Sequence, residues 1–190
     1  MIITLCSGEG TTLAAVAESG APITDVITNV ETAPVRMVAR RHNIQDHAVP
    51  HINYSSREEH EAAVLNVLEY NCQPFRMILL LGYMRIFSEH FLTRVRHIWP
   101  TVLMANLHPA PLSLYKGAHG LNYALAKRFP LWGVSVHEVT PELDSGPVIA
   151  SRPLAVRPTD TFASLRARAR VQEREAVLES IQIIQRRAQS

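Results

Sequence analysis

Cysteine is scarce: the 190-residue chain has two, Cys6 and Cys72. Two cannot form a disulfide framework, and Cys6 lies in an apolar run that suits a small buried residue. The expected setting is therefore reducing and cytoplasmic. Long hydrophobic runs are also missing. No window approaches the roughly 18 to 20 apolar residues of a membrane span. The N-terminus MIITLCSGEG lacks the basic start of a signal peptide and reads as a first strand. An excess of one charge is absent too, since 19 basic and 17 acidic residues leave a formal charge of +2. That balance gives no general argument for a nucleic-acid or membrane partner. The one basic concentration, RARARVQER at residues 166–174, falls in a helical stretch and reads as a solvated helix face. Several motifs are lacking as well. No GKS or GKT follows a glycine loop, the third glycine of a dinucleotide fingerprint is missing, and HExxH, CxxC and GxSxG do not occur. His108, His119 and His137 are not at helical ligand spacing, so no catalytic metal is expected.

What is present is an alternation of short strand-like runs with longer helical ones, the pattern of a wound α/β sheet. Strands are expected at residues 2–6, 23–29, 46–50, 75–83 and 101–107, with two more near WGVSVHEV and GPVIASRPLAV. Helices are expected at residues 11–19, 33–43, 56–71, 88–96, around 120–128, and from about 159 to 187. Ser56, with Glu59 three residues on, marks a helix start. The continuously apolar FRMILLLGY reads as a central parallel strand covered on both faces. No repeat, low-complexity segment or linker breaks the chain. At this length roughly 70% of the unfolded surface can be buried, so residues 1–190 are expected to form one mostly parallel, Rossmann-like α/β domain.

In such sheets ligands bind beyond the carboxyl ends of the strands. Four loops qualify: SGEGTT, GYMRIF, NLHPAP and TPELDSGP. The first puts two glycines before a helix start, where it is either a tight turn or a cradle for a phosphate or carboxylate. In the third, Asn106 and His108 alternate and so point to one side of an extended segment. An amide beside an imidazole suits reactions at a carbonyl, because the amide can hold a developing oxyanion. Asp144 in ELDSGP adds a carboxylate able to orient the imidazole or to position a water for proton transfer. His137, at a strand position, reads as a structural or site-lining residue.

Taken together, SGEGTTL, LLGYMRIFS, NLHPAPL with YKGAH after it, and SVHEVTPELDSGPVIA resemble the phosphoribosylglycinamide formyltransferase family, whose members use 10-formyltetrahydrofolate. The likeness runs from the first strand to about residue 173, with the motifs in the family's order. It implies transfer of a formyl group from the folate N10 to an amine, without a metal. Asn106 would bind the formyl oxygen in the tetrahedral intermediate, His108 would stabilise the same oxyanion, and Asp144 would steer the proton of the attacking amine. The folate would lie along Met84, Arg85, Ile86 and Phe87 and along Val139, Thr140 and Leu143, with Phe91 or Leu92 as apolar wall. Arg85 would face the glutamate tail or the second substrate. Gly10, Thr11 and Thr12 match the family's phosphate-binding loop, and Glu173 matches a position that helps hold glycinamide ribonucleotide. A monomer or homodimer is expected.

The chain departs from the family pattern in two loops. The usual HPSLLP reads HPAPLS, and SGNGSN has become SGEGTT. A solvated carboxylate at Glu9 opposes a nearby phosphate by about 1 kcal/mol. These changes spare the Asn, His and Asp but leave the acceptor open between glycinamide ribonucleotide and another small amine, such as an amino sugar or amino acid derivative. Hydrolysis of the formyl folate and a folate-binding protein without activity are the further readings. The hydrolases carry an extra N-terminal domain and the methionyl-tRNA formyltransferases a C-terminal one, for which 190 residues are expected to leave no room.

Overall fold

The computed structural model describes residues 1–70, 72 and 74–187. Seven strands form one sheet in the order β3-β2-β1-β4-β5-β6-β7, flanked by six helices. The contacts group into two compact units, residues 1–105 and 106–190. The wound, mostly parallel α/β sheet expected from the alternating pattern is the one observed.

In the first unit β1 (Ile2–Leu5), α1 (Thr11–Glu18), β2 (Ile23–Thr28), α2 (Val35–Arg41) and β3 (Gln45–Ala48) wind outward in one direction. A 3-10 turn (His51–Asn53) and α3 (Arg57–Tyr70) then carry the chain back to β4 (Met77–Leu80), which pairs parallel with the other edge of β1. The order therefore reverses between β1 and β4, and such a switch opens a crevice at the strand ends. Ile3, Leu5, Val26, Ile27, Ile78 and Leu79 are wholly or almost wholly buried, as parallel strands covered on both faces require. The unit closes with α4 (Glu89–Ile98) and the start of β5 (Leu103–His108).

The fourth strand is shorter than the apolar run at residues 75–83 predicts. Gly82 turns the chain with φ 76°. Leu81 and Tyr83 remain buried in the loop beyond the strand, and Tyr83 stacks on Phe87 at 5.4 Å. Continuous apolarity reported cover on both sides, and the strand is only part of what is covered. Ser56 does cap α3 by accepting the Glu59 N–H at 3.1 Å. The Glu59 carboxylate, however, accepts from the backbone N–H of Ser55, one residue earlier than the usual box. The predicted end of that helix at Asn71 lies outside the described residues.

In the second unit β6 (Leu131–Glu138) and β7 (Val148–Ala155) pair antiparallel, with α6 (Phe162–Arg187) packed on them and α5 (Gly120–Ala126) against α6. Trp132, Leu154, Leu165, Leu121, Ala124 and Ala169 make the local core, with Tyr115, Tyr123 and Phe129 at its margin. Among the described residues no helix is long and apolar enough to cross a membrane.

Candidate active site

A buried polar cluster of the second unit sits where β5 ends. Asn106 and His108 are two residues apart on that strand, so both project from one face, while Leu107 packs into the opposite one. The chain then turns through Pro109 and Ala110, whose carbonyls accept hydrogen bonds from Trp132 Nε1 at 3.0 Å and Ser135 Oγ at 2.9 Å. Ala110 is fully buried. A Cβ placed on Gly120 would come within 3.0 Å of the Ala110 Cβ and of the Pro109 carbonyl. The altered HPAPLS loop is thus fixed by close packing beneath the site.

Asp144 arrives from the loop after β6 in the left-handed region, φ 47°, a conformation aspartate tolerates better than most side chains. Gly146 lets the loop fold back on itself: a Cβ there would lie 1.9 Å from the Glu138 carbonyl oxygen. Lys116 bonds Ser145 Oγ and so ties the segment after β5 to the Asp144 loop. Asp144 Oδ2 accepts the Gly117 N–H at 2.7 Å and lies 3.6 Å from His108 Nδ1. Its Oδ1 lies 3.5 Å from His137 Nε2. His108, His137 and Asp144 are all buried.

The hydrogen bonds fix which ring nitrogens carry protons. A carbonyl can only accept, so His108 Nε2, 3.1 Å from Tyr115 O, bears a hydrogen, as does His137 Nδ1, 2.9 Å from Glu138 O. In the neutral rings His108 Nδ1 and His137 Nε2 are then bare acceptors, and both face the Asp144 carboxylate. Asn106 Nδ2 donates to His137 Nε2 at 3.2 Å, and the amide carries a second N–H. Burial pushes the His108 pKa below its ordinary value, against the opposing pull of Asp144 and the Tyr115 carbonyl. Burial raises the Asp144 pKa, but donation from the His137 ring when it is protonated, the Gly117 N–H and the charge that either imidazole carries once protonated outweigh it and leave the carboxyl below its usual range. The cluster is an acceptor-rich pocket with an amide donor at its rim. It can take N–H hydrogens on one side and support a negative oxygen on the other.

His137 is the member that sequence reasoning left as structural or site-lining. Its alternation along β6 was visible, but its proximity to Asn106 and Asp144 depends on the path of the following loop. Of the other second-unit candidates, Val139 and Thr140 are half-buried and Leu143 is exposed. Thr140 Oγ1 donates to the Glu142 carbonyl. Glu173 is buried on α6 with its carboxylate paired to Arg166.

The first-unit candidates cluster at the switch between β1 and β4. Gly10 caps α1 with φ 71°, and a Cβ there would meet Val35 Cγ2 at 2.7 Å, so both conformation and space call for glycine. Ser7 N–H donates to the Gly82 carbonyl at 3.1 Å, and Ser7 Oγ accepts the Met84 N–H at 2.7 Å. Those bonds join the SGEGTT loop to the loop after β4. Thr11 and Glu9 are exposed and Thr12 is half-buried. Met84, Arg85 and Ile86 are exposed. Phe87 stacks on Phe91 at 4.1 Å, and Phe91 and Leu92 are buried residues of α4.

Residues 1–181 match the formyl transferase family. The chain is 30% identical to a phosphoribosylglycinamide formyltransferase of Dictyostelium discoideum, over 96% of this chain and 97% of that one. It is 31% identical to the protein of that name from Escherichia coli, over 90% and 81% of the two chains. The crystal structure of a phosphoribosylglycinamide formyltransferase from Streptococcus pneumoniae is similar with a TM-score of 0.86 and 26% identity, over 95% of this chain and 96% of that one.

Proposed function

The chain belongs to the formyl transferase family, and from that premise we propose that it transfers a formyl group from 10-formyltetrahydrofolate to the primary amine of glycinamide ribonucleotide. The observation that carries the reading is the pocket at the end of β5. One amide donor stands beside two unprotonated ring nitrogens and a carboxylate, a set suited to an amine attacking a carbonyl. The relatives named for this activity align over nearly the whole chain.

In the reaction the amine nitrogen bonds to the formyl carbon, and the carbonyl electron pair moves onto oxygen. The Asn106 amide donates to that oxygen. The proton released by the amine is received at Asp144, with His108 Nδ1 and His137 Nε2 as neighbouring acceptors. Collapse of the intermediate breaks the bond to N10, which takes the proton as it leaves. Should the proton pause on His108 Nδ1, the ring becomes cationic and stabilises the oxyanion, with Asp144 3.6 Å away to balance the charge. In the first unit the reading assigns Gly10, Thr11 and Thr12 to the substrate phosphate and Met84, Arg85, Ile86 and Phe87 to the folate, with Phe91 and Leu92 behind them. In the second it assigns Val139, Thr140 and Leu143 to the folate and Glu173 to the ribonucleotide.

The test follows the absorbance of the deformylated product from a 10-formyl folate analogue, with and without glycinamide ribonucleotide. Release that depends on that amine supports the proposal. Release without amine reassigns the protein as a hydrolase, and release only with a different small amine reassigns the acceptor.

A further inference from the structure

Outside the catalytic pocket the first unit brings together three residues that could not be linked by spacing. Asp25 on β2, His47 on β3 and Cys72 after α3 each offer one ligand atom, and these atoms all lie within 4.8 Å of one another. Asp25 pairs with Gln45 and Ile27 with His47 in the parallel register, so Asp25 and His47 share a face of the sheet as diagonal neighbours. Their contact is direct: His47 Nε2 lies 2.8 Å from Asp25 Oδ1. The Cys72 backbone N–H bonds to the Val67 carbonyl at the end of α3, which fixes where the thiol enters.

A second observation marks this as more than an ion pair. Asp25 is 2% exposed, yet its other carboxylate oxygen, Oδ2, accepts no hydrogen bond of good geometry, with the Thr24 hydroxyl and the Cys72 thiol as the polar groups beside the carboxylate. Leaving a buried carboxylate oxygen unsatisfied is costly, and such groups call for an explanation. A cation is the partner that satisfies the carboxylate, the imidazole and the thiol at once.

We propose that Asp25, His47 and Cys72 form a structural site for a zinc-class divalent cation. A thiolate with an imidazole selects borderline-soft metals over magnesium or calcium. On binding, the Cys72 thiol gives its proton to solvent and its sulfur bonds the metal. One thiolate and one carboxylate then cancel the charge of the cation, so the buried site is neutral. A water completes four-coordination. Tetrahedral zinc holds such donors roughly 3.3 to 3.8 Å apart, so side-chain adjustments of about 1 Å close the set. The metal would pin β3, at the edge of the sheet, to β2 and to the end of α3. It takes no part in formyl transfer, and the inference stands whether or not that reading does.

The experiment is equilibrium dialysis of the full chain against zinc alone, with cobalt as spectroscopic probe. One equivalent of zinc is expected to be retained. The cobalt form should show a thiolate charge-transfer band in the near ultraviolet and the strong visible absorption of tetrahedral cobalt. Cys72→Ser should fold normally, because Cys72 is only half-buried, and should lose the charge-transfer band. Asp25→Asn and His47→Gln should weaken retention by about tenfold or more. Zinc should raise the thermal midpoint of the wild type and leave that of Cys72→Ser unchanged. Failure to retain zinc, or retention with an unchanged cobalt spectrum in Cys72→Ser, overturns the proposal.

Discussion

Asn106 holds the point where the proposed reaction is most sensitive to one side chain. Its Nδ2 leans on His137 and its second N–H is the donor assigned to the oxyanion. Removal of one such donor costs about 10²–10³ in kcat, or about 3–4 kcal/mol. Asn106→Ala should therefore lose kcat by that factor while its thermal midpoint stays close to wild type, since the residue is only half-buried. Steady-state rates and melts on the same preparation check this, and a loss below about tenfold would refute the role. His108 supplies a pH signature. Its pKa is held down by burial, and the proposed reaction uses the neutral ring, so kcat/KM should rise with pH along a limb centred below the ordinary imidazole value of about 6.5. His108→Gln should abolish that limb. A kcat/KM that falls as pH rises through this range would mean that the charged ring is required. Gly146→Ala tests the loop itself. Its Cβ would overlap the Glu138 carbonyl, so Asp144 should be displaced and turnover lost. Asn106, His108 and Asp144 could be singled out in the sequence because each stood at or beyond a strand end in a distinctive polar motif, and the structure brings the three to one cluster. His137 was read only as structural or site-lining, because nothing in VSVHEV shows that Asp144 will return to meet it.

Elements were read well where periodicity is strong, and less well where a polar group is buried for a reason outside its own segment. Glu61 is the clearest case. In REEHEAAVLNVLEY it resembles its solvent-facing neighbours, yet it is 4% exposed. Its carboxylate accepts the backbone N–H of Ser88 at 2.6 Å and the Ser88 hydroxyl, and it pairs with Arg57 at 3.1 Å. Ser88 in turn caps α4 by accepting the Phe91 N–H at 3.1 Å. The start of α4 is thus held from another helix, a contact without local sequence signal. Glu61→Ala should lower unfolding stability by about 2–3 kcal/mol, the scale of hydrogen bonds to a charged group lost from a buried position. Urea unfolding measures this directly, and a change below about 0.5 kcal/mol would show that water replaces the carboxylate at no cost. The basic run at residues 166–174 carries the same lesson. Arg166 is paired with buried Glu173, and Arg168 with Asp160 and the Ala155 carbonyl. Part of what reads as a solvated basic face is joined into ion pairs along and just before α6.

For the whole molecule, buried titratable groups set the pH range of stability. His60 and His108 both have pKa values lowered first by burial. As pH falls, the unfolded chain takes up these protons before the folded one, so unfolding becomes easier. The loss begins near the ordinary imidazole value of 6.5 and grows until the folded rings also titrate. Asp144 adds a second loss at lower pH. Its carboxyl is depressed in the folded state against an ordinary value of 3.8, so its contribution is present above that value and disappears as pH drops through the folded one. On the alkaline side the signs reverse. Burial raises the Cys6 thiol and the Tyr83 phenol above their ordinary values of 9.0 and 10.0. Their stabilisation is complete below those values and is lost above them, as the unfolded chain ionises first. Stability should therefore form a plateau between about pH 6.5 and 9, with separate acid steps for the histidines and for Asp144. Urea unfolding free energies at pH 8, 5.5, 3.5 and 10.5 resolve the steps. His60→Gln should keep the Val49 contact of the ring, now at 3.1 Å, through its amide and flatten the first acid step. Equal stability of the wild type at pH 8 and 5.5 would show that neither histidine needs its neutral form for the fold. That result would also remove the ground for expecting a neutral His108 in the proposed catalytic cluster.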